Sequence, residues 1–213
     1  RIVPSVLSGD KISALGITEP SGGSDVAGLK TTAKRDGDFY VVNGEKCFIT
    51  SGMRADWITL AVRTGGSGQK GVSLLMVPGD APGLSKTEMK KMGWWCSDTA
   101  ALHFDDVRVP VANLVGQEGQ GFPGIMANFN SERIMLSASA LGFAKVCFNE
   151  SLAYARERNT FGAPLIERQV IRHRLVDMAA KIHSIQSLLD TLCESIGRGH
   201  KPIAEICQLK IEA

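Results

Sequence analysis

The sequence predicts an α+β protein: a β-barrel or sandwich domain followed by part of an α-helical domain. Three observations predict it. Short β-rich runs separated by turn signals fill the first half of the chain. The hydrophobic period then changes from 2 to 3.6 near residues 116–121. Beyond that point a long apolar seam advances in alternating steps of four and three. The boundary falls at 117/118, giving a β-domain over 1–117 and a helical domain over 118–213.

In the first half, Phe39-Tyr40-Val41-Val42, Lys46-Cys47-Phe48-Ile49-Thr50, Trp57-Ile58-Thr59-Leu60-Ala61-Val62 and Val72-Ser73-Leu74-Leu75-Met76-Val77 read as strands. Leu102-His103-Phe104 leading to Val107 reads as another. Asp36-Gly37 and Asn43-Gly44 are hairpin signals between or beside them. Six or seven strands of this kind suggest a small sandwich or barrel. Thr64-Gly65-Gly66-Ser67-Gly68 reads as a loop tip. In the second half, Phe122, Ile125, Met126 and Phe129 open a helix expected to run to about Arg158. Ile171, Leu175, Met178, Ile182, Ile185, Leu189, Leu192 and Ile196 form the seam of a second helix, closed by Gly197-Arg198-Gly199. Pro202 opens a third. The opening Arg1-Ile2-Val3-Pro4 is no signal peptide, and together with the helix that stops at Ala213 it reads as a piece of a longer chain.

Composition excludes little but points one way. Apolar residues make up 44% and charged residues 22% of the 213, with net charge +2, as in ordinary globular proteins. Lys and Arg alternate with Asp and Glu instead of forming a stripe, so no nucleic-acid partner is expected. No run of about 18 apolar residues is present, so no membrane span is expected. Cys47, Cys96, Cys147, Cys193 and Cys207 include no CxxC pair, and the His residues form no HxxxH or HExxH pattern. Buried thiols, without a disulfide framework or metal site, are expected.

Four stretches can carry chemistry. Thr18-Glu19-Pro20-Ser21-Gly22-Gly23-Ser24-Asp25 is either a glycine- and hydroxyl-rich loop that approaches an anion or a plain surface turn. Phe48 and Thr50, two apart on a strand, face the same way; they either line a flat conjugated ligand or place Phe48 in the core. Glu132 lies beside the apolar stripe of the first helix. A carboxylate there is partly desolvated with a raised pKa, as a general base requires, or else it pairs with Arg133 on the helix rim. Arg156 and Arg158 with Thr160 either bind phosphate or complement a helix C-terminus.

Taken together, Ile17-Thr18-Glu19-Pro20 with Gly23-Ser24-Asp25, Asn43-Gly44-Glu45-Lys46 with Ile49-Thr50, Met92-Gly93 with Ser97-Asp98-Thr99, Phe104-Asp105-Asp106-Val107-Arg108-Val109-Pro110, Gly119-Gln120-Gly121-Phe122, Glu132-Arg133 and Arg158-Asn159-Thr160-Phe161-Gly162 resemble acyl-CoA dehydrogenases in order and spacing. Each motif is weak alone; seven in register are specific. The resemblance implies a middle β-domain and the first part of a C-terminal four-helix bundle, with an N-terminal helical domain and the last helices outside the chain.

The resemblance also implies roles. Ile17, Thr18 and Ser24 contact FAD, with Ser24 also near the CoA arm. Phe48 stands where the family usually has a Trp beside the flavin, and Thr50 hydrogen-bonds near the reactive flavin edge. Arg158, Thr160, Phe161 and Gln169 reach the FAD of a neighbouring subunit, so a homo-oligomer, a dimer or homotetramer, is implied. Asn130 and Arg133 hold the CoA part of the acyl-CoA substrate. Most family members carry the catalytic Glu near the C-terminus, in a segment outside this chain, and some have a Glu at the position of Glu132 without using it. In the isovaleryl-CoA and long-chain members this position is the base, and there Glu132 would take the α-proton as the β-hydride passes to flavin N5. Electrons would then leave to an electron-transferring flavoprotein. The implied setting is fatty acid metabolism, in the cytoplasm of a bacterium or the mitochondrial matrix of a eukaryote. Acyl-CoA oxidases and flavin oxygenases share the fold, as would a non-catalytic binding module.

Overall fold

The computed structural model describes residues 2–213, which divide into two compact units, one ending at Ile125 and one spanning Met126–Ala213. The first opens on a short helix, α1 (Ile2–Leu7), which the strand-like reading of this half did not include. Eight strands follow: β1 (Ser13–Gly16), β2 (Thr32–Asp36), β3 (Phe39–Thr50), β4 (Trp57–Arg63), β5 (Val72–Pro78), β6 (Leu84–Glu88), β7 (Thr99–Pro110) and β8 (Leu114–Val115). They form one mixed sheet in the order β6-β7-β3-β2-β4-β5-β8, with β1 also on β4. Among the described residues no pairing joins β6 to β8, so the sheet is open and the closed-barrel alternative is corrected. Tyr40, Ile49, Leu60, Leu75, Leu102 and Phe104, from four strands, nonetheless share one buried cluster.

Two details of strand pairing set up the site. β1 pairs parallel with Trp57–Leu60 of β4, and β2 touches the same strand at Arg63. Residues 17–31 therefore leave and rejoin the sheet beside β4. Arg63 anchors this excursion by donating to the carbonyls of Leu29 (3.0 Å) and Ala27 (2.6 Å). β3 in turn pairs with β2 only over Phe39–Asn43, while β7 pairs with it along its whole length. The edge of β3 beyond Asn43 is left for residues 17–31 to occupy.

Asp36-Gly37 does form the β2–β3 hairpin, with Asp36 opposite Phe39. Asn43-Gly44 does not turn the chain, contrary to expectation; β3 runs through it as a single strand. The irregularity lies in the partner strand, where β7 carries an extra residue between Val107 and Phe104. The Asn43 amide closes that bulge with two hydrogen bonds to Asp106, at 2.8 and 2.9 Å. Gly44 has φ +142°, and a Cβ there would stand 2.7 Å from the Thr31 backbone, so glycine is needed for close approach.

In the second unit, α2 (Gly121–Glu157) continues beyond Ile125, followed by β9 (Asn159–Thr160), β10 (Ala163–Pro164), α3 (Gln169–Gly197) and α4 (Ile203–Glu212). The start of α2 lies close against β5: a Cβ on Gly121 would meet the Ser73 backbone at 2.8 Å. The predicted seam is real in its middle. Leu189 and Leu192 of α3 are buried with Leu141, Ile206 and Leu209, and Ile182 and Ile185 pack on them. Burying each such leucine stabilises by about 1.5–3 kcal/mol. The seam weakens at its end, where Ile196 is exposed. The cysteine expectation is corrected as well: Cys47 is buried, but Cys96, Cys147 and Cys193 are exposed. No helix among the described residues is long and apolar enough to cross a membrane.

Candidate functional site

In the first unit Ile17, Thr18, Phe48 and Thr50 lie at the part of β3 that β2 leaves unpaired. Between Lys46 and Ile49 the pairing with β7 slips by one residue, so β3 carries a bulge at Cys47-Phe48. A bulge reverses the inward parity of the residues beyond it. Tyr40, Val42 and Lys46 point inward before it, and Ile49 after it. Phe48 is thereby turned outward with Thr50. Its backbone is left-handed (φ 59°) and its side chain is 66% exposed, so the core reading of Phe48 is excluded. A non-glycine residue held at such a φ costs on the order of 1 kcal/mol or more. An exposed aromatic ring recovers little of that cost by burial. We expect Phe48→Gly to stabilise the protein by about 1 kcal/mol in urea unfolding. A destabilised protein would show that the bulge is not strained.

Residues 17–19 lie against this bulge. Cys47 donates its N–H to the Thr18 carbonyl at 2.9 Å. Lys46 Nζ donates to the Ile17 carbonyl at 3.0 Å and to Glu19 Oε1 at 2.8 Å. The Glu19 carboxylate also accepts from the N–H groups of Lys30 (2.6 Å) and Thr31 (2.9 Å). Burial pushes the Glu19 carboxyl up, but Lys46 and these two N–H groups outweigh it and hold it below the usual carboxylate range. Burial lowers the Lys46 ammonium from its ordinary value, against the pull of Glu19. The Ile17 side chain is buried and Thr18 is partly exposed. Ser24 is exposed, in a bend just after the turn closed by the Glu19–Gly22 bridge and just before the Asp25 carboxylate that caps Gly28 N–H at 3.1 Å. The sequence reading gave Lys46 and Glu19 no role. Lys46 shares the inward parity of Tyr40 and Val42, but a lysine on a strand reads as solvent-facing.

A second loop borders Thr50. Ser51 donates its N–H to the Asp98 carbonyl, and the Asp98 carboxylate holds Arg54 Nε at 2.6 Å and Met53 N–H at 2.8 Å. Burial raises the Asp98 pKa, but these partners leave it below its ordinary value. Between Met92 and Asp98, Trp94 (φ 59°) and Trp95 are exposed beside a hollow of about 320 Å³ lined by Lys90, Lys91 and Trp95. The sequence reading matched the flanks of this stretch and passed over its tryptophans.

In the second unit, Asn130, Glu132 and Arg133 lie on α2. Arg133 donates to Asn130 Oδ1 at 2.8 Å, one helical turn away. Asn128 Nδ2 donates to Glu132 Oε1 at 2.7 Å. The rim pairing of Glu132 with Arg133 is therefore not made among the described residues. Glu132 is partly exposed, so the desolvation expected of it is partial. Further on, Thr160 pairs with Ala163 across a two-residue turn in which Phe161 (φ 51°) and Gly162 (φ 82°) are both left-handed, the signature of a type I′ hairpin. Phe161 is 99% exposed. Arg168 steadies the hairpin, donating to the Thr160 carbonyl at 2.5 Å with its guanidinium 5.9 Å from the Phe161 ring. Arg158 and Gln169 are exposed at the end of α2 and the start of α3.

Each unit thus presents an exposed phenylalanine on a left-handed backbone. At Phe48 an apolar wall, the Thr50 hydroxyl and a braced backbone loop lie at one strand edge, a surface whose groups suit the flat ring and polar edge of a flavin.

Comparison with known proteins identifies the family. Residues 14–107 match the family described as acyl-CoA dehydrogenase, middle domain, and residues 119–213 match acyl-CoA dehydrogenase, C-terminal domain. Cyclohexane-1-carbonyl-CoA dehydrogenase of Geobacter metallireducens is 42% identical over 89% of this chain and 50% of its own length. A crystal structure described as a probable acyl CoA dehydrogenase from Mycobacterium abscessus is 47% identical, with TM-score 0.96 over 100% of this chain and 57% of that one. A chain in a structure of the electron transferring flavoprotein of Acidaminococcus fermentans is 33% identical, with TM-score 0.93 over 99% of this chain and 56% of that one. The chain spans about half the length of the curated relatives it matches. With its two successive matches and its mixed-sheet and helical units, the chain belongs to the acyl-CoA dehydrogenase family.

Proposed function

We propose that this protein uses FAD to introduce an α,β double bond into an acyl-CoA thioester. The observation that carries the reading is the pair of exposed phenylalanines, Phe48 and Phe161, each held in a left-handed backbone, at positions that the resemblance implies lie against flavin. Sequence selects such a conformation for a bulky residue only where something repays it, and neither ring is repaid by the core. FAD, when bound, supplies the acceptor for the β-hydride.

The chain's own residues divide the remaining work. Phe48 forms an apolar wall beside the ring, and Thr50 offers a hydroxyl at its edge. Ile17 and Thr18 contribute backbone, and Ser24 contacts FAD and the CoA arm. Asn130 and Arg133, which already orient one another, hold the CoA moiety. Glu132 removes the α-proton, with Asn128 orienting its carboxylate. A carbon next to a thioester is a weak acid, so Glu132 acts on a carbonyl polarised by hydrogen-bond donors. Arg158, Thr160, Phe161 and Gln169 reach the FAD of a second subunit, which makes the active form a homo-oligomer. The functional domains are taken to meet at 117/118, just before the second family match begins at residue 119, although the compact units divide after Ile125. Likeness to the chain in the Acidaminococcus fermentans electron transferring flavoprotein structure supports a flavoprotein as the electron acceptor.

The test is anaerobic titration of the intact, flavin-loaded protein with straight-chain and branched acyl-CoAs. Loss of flavin colour with at least one is expected. Reoxidation should then be fast with an electron-transferring flavoprotein and slow with dioxygen. No bleaching by any acyl-CoA would refute the reading, and fast reoxidation by dioxygen would make the protein an oxidase.

A further inference from the structure

The ion pair between Lys46 and Glu19 has no part in the function proposed above, yet it is the most fully buried charge in the first unit. The side chains are 0% and 5% exposed. Burying two charges is expensive, and an apolar pair of similar volume is often no less stable. Its partners show what the pair holds in place. Lys46 Nζ reaches the Ile17 carbonyl as well as Glu19. Glu19 reaches the N–H groups of Lys30 and Thr31, at the far end of the same excursion. Lys46 lies immediately before the bulge, and the next residue, Cys47, bonds Thr18 through its backbone N–H. The two residues before Phe48 therefore clamp both 17 and 18.

The geometry points to Lys46 and Glu19 as positioning residues that lock the 17–18 backbone to the Phe48 bulge, so that the loop and the ring meet FAD as one preformed surface. Hydrogen bonds supply the register and the buried charges make it unique. An apolar pair fills the same volume but leaves the Ile17 carbonyl and the N–H groups of Lys30 and Thr31 without these partners, free to settle in more than one arrangement. Preorganised surfaces bind more tightly because less ordering remains to be done on binding. This inference rests on the reading that the 17–18 loop meets FAD.

The experiment compares the intact wild-type protein with the double variant Glu19→Met/Lys46→Met, reading FAD dissociation constants of the apoproteins, flavin absorption spectra and melting temperatures. The double variant is expected to keep a melting temperature near wild type and yet bind FAD about tenfold or more weakly, a loss of about 1.4 kcal/mol, with a less resolved flavin spectrum. Should the double variant not fold, Glu19→Asp, which keeps both charges but shortens the carboxylate's reach to the Lys30 and Thr31 N–H groups, is read the same way. FAD affinity within about twofold of wild type in a folded variant would overturn the positioning role. Wild-type apoprotein that does not bind FAD would instead overturn the function proposed above, so the two failures are distinct.

Discussion

Glu132→Gln in the intact protein should retain FAD but bleach with acyl-CoA about 10²–10⁴ times more slowly than wild type, the range that a positioned general base contributes. The substitution is nearly isosteric. A glutamine Oε1 can still accept from Asn128 Nδ2, so the local geometry of α2 survives. What is lost is the ability to take a proton. Asn128→Ala is the companion variant: it leaves the carboxylate and removes its orienting donor, and a smaller loss of rate is expected from it. Rapid-mixing measurement of flavin bleaching reads both. A Glu132→Gln rate within about tenfold of wild type would place the base elsewhere in the protein.

Phe104→Ala should be the most damaging single change to stability among those considered, costing about 3–5 kcal/mol. Phe104 is 1% exposed and lies where three strands meet, opposite Gly44 of β3 and Leu84 of β6. It also ends the β7 bulge that Asn43 closes. Removing the ring opens a cavity that the glycine opposite cannot fill. The urea midpoint of the intact protein should fall accordingly, and FAD should bind more weakly because β7 supports the bulge that carries Phe48. A cost under about 1 kcal/mol would mean that the core collapses onto the vacancy and that this crossing is not tightly packed.

The division into a strand-rich and a helical half was legible because each rests on periodicity, which tertiary structure reinforces. Leu189 and Leu192 are buried where steps of three and four place them. The Asn43-Gly44 misreading has a definite cause. The dipeptide is a hairpin signal only if the flanking runs pair with each other. Here both pair with β7, whose sequence lies far downstream, and the glycine serves to let Thr31 approach. Lys46 was illegible as a buried residue because lysine on a strand reads as solvent-facing, and its partner lies 27 positions earlier, outside any local window. Phe48 is a subtler case. Strict alternation places it inward with Tyr40 and Val42, and only the one-residue slip before Ile49 turns it out. That slip depends on pairing with β7, so local sequence does not announce it. Glu132 was visible from its place on the helix, whereas its partner Asn128 and the Asn130–Arg133 bond emerged only with side-chain geometry.

The most direct measurement is the product itself. The intact protein is mixed anaerobically with an acyl-CoA that bleaches it, and the CoA species are then weighed by mass spectrometry and counted against the flavin reduced. One α,β-enoyl-CoA per flavin, lighter than the substrate by two hydrogens, is the result expected. Flavin reduction with the acyl-CoA recovered unchanged, or free CoA in place of an enoyl thioester, would contradict it.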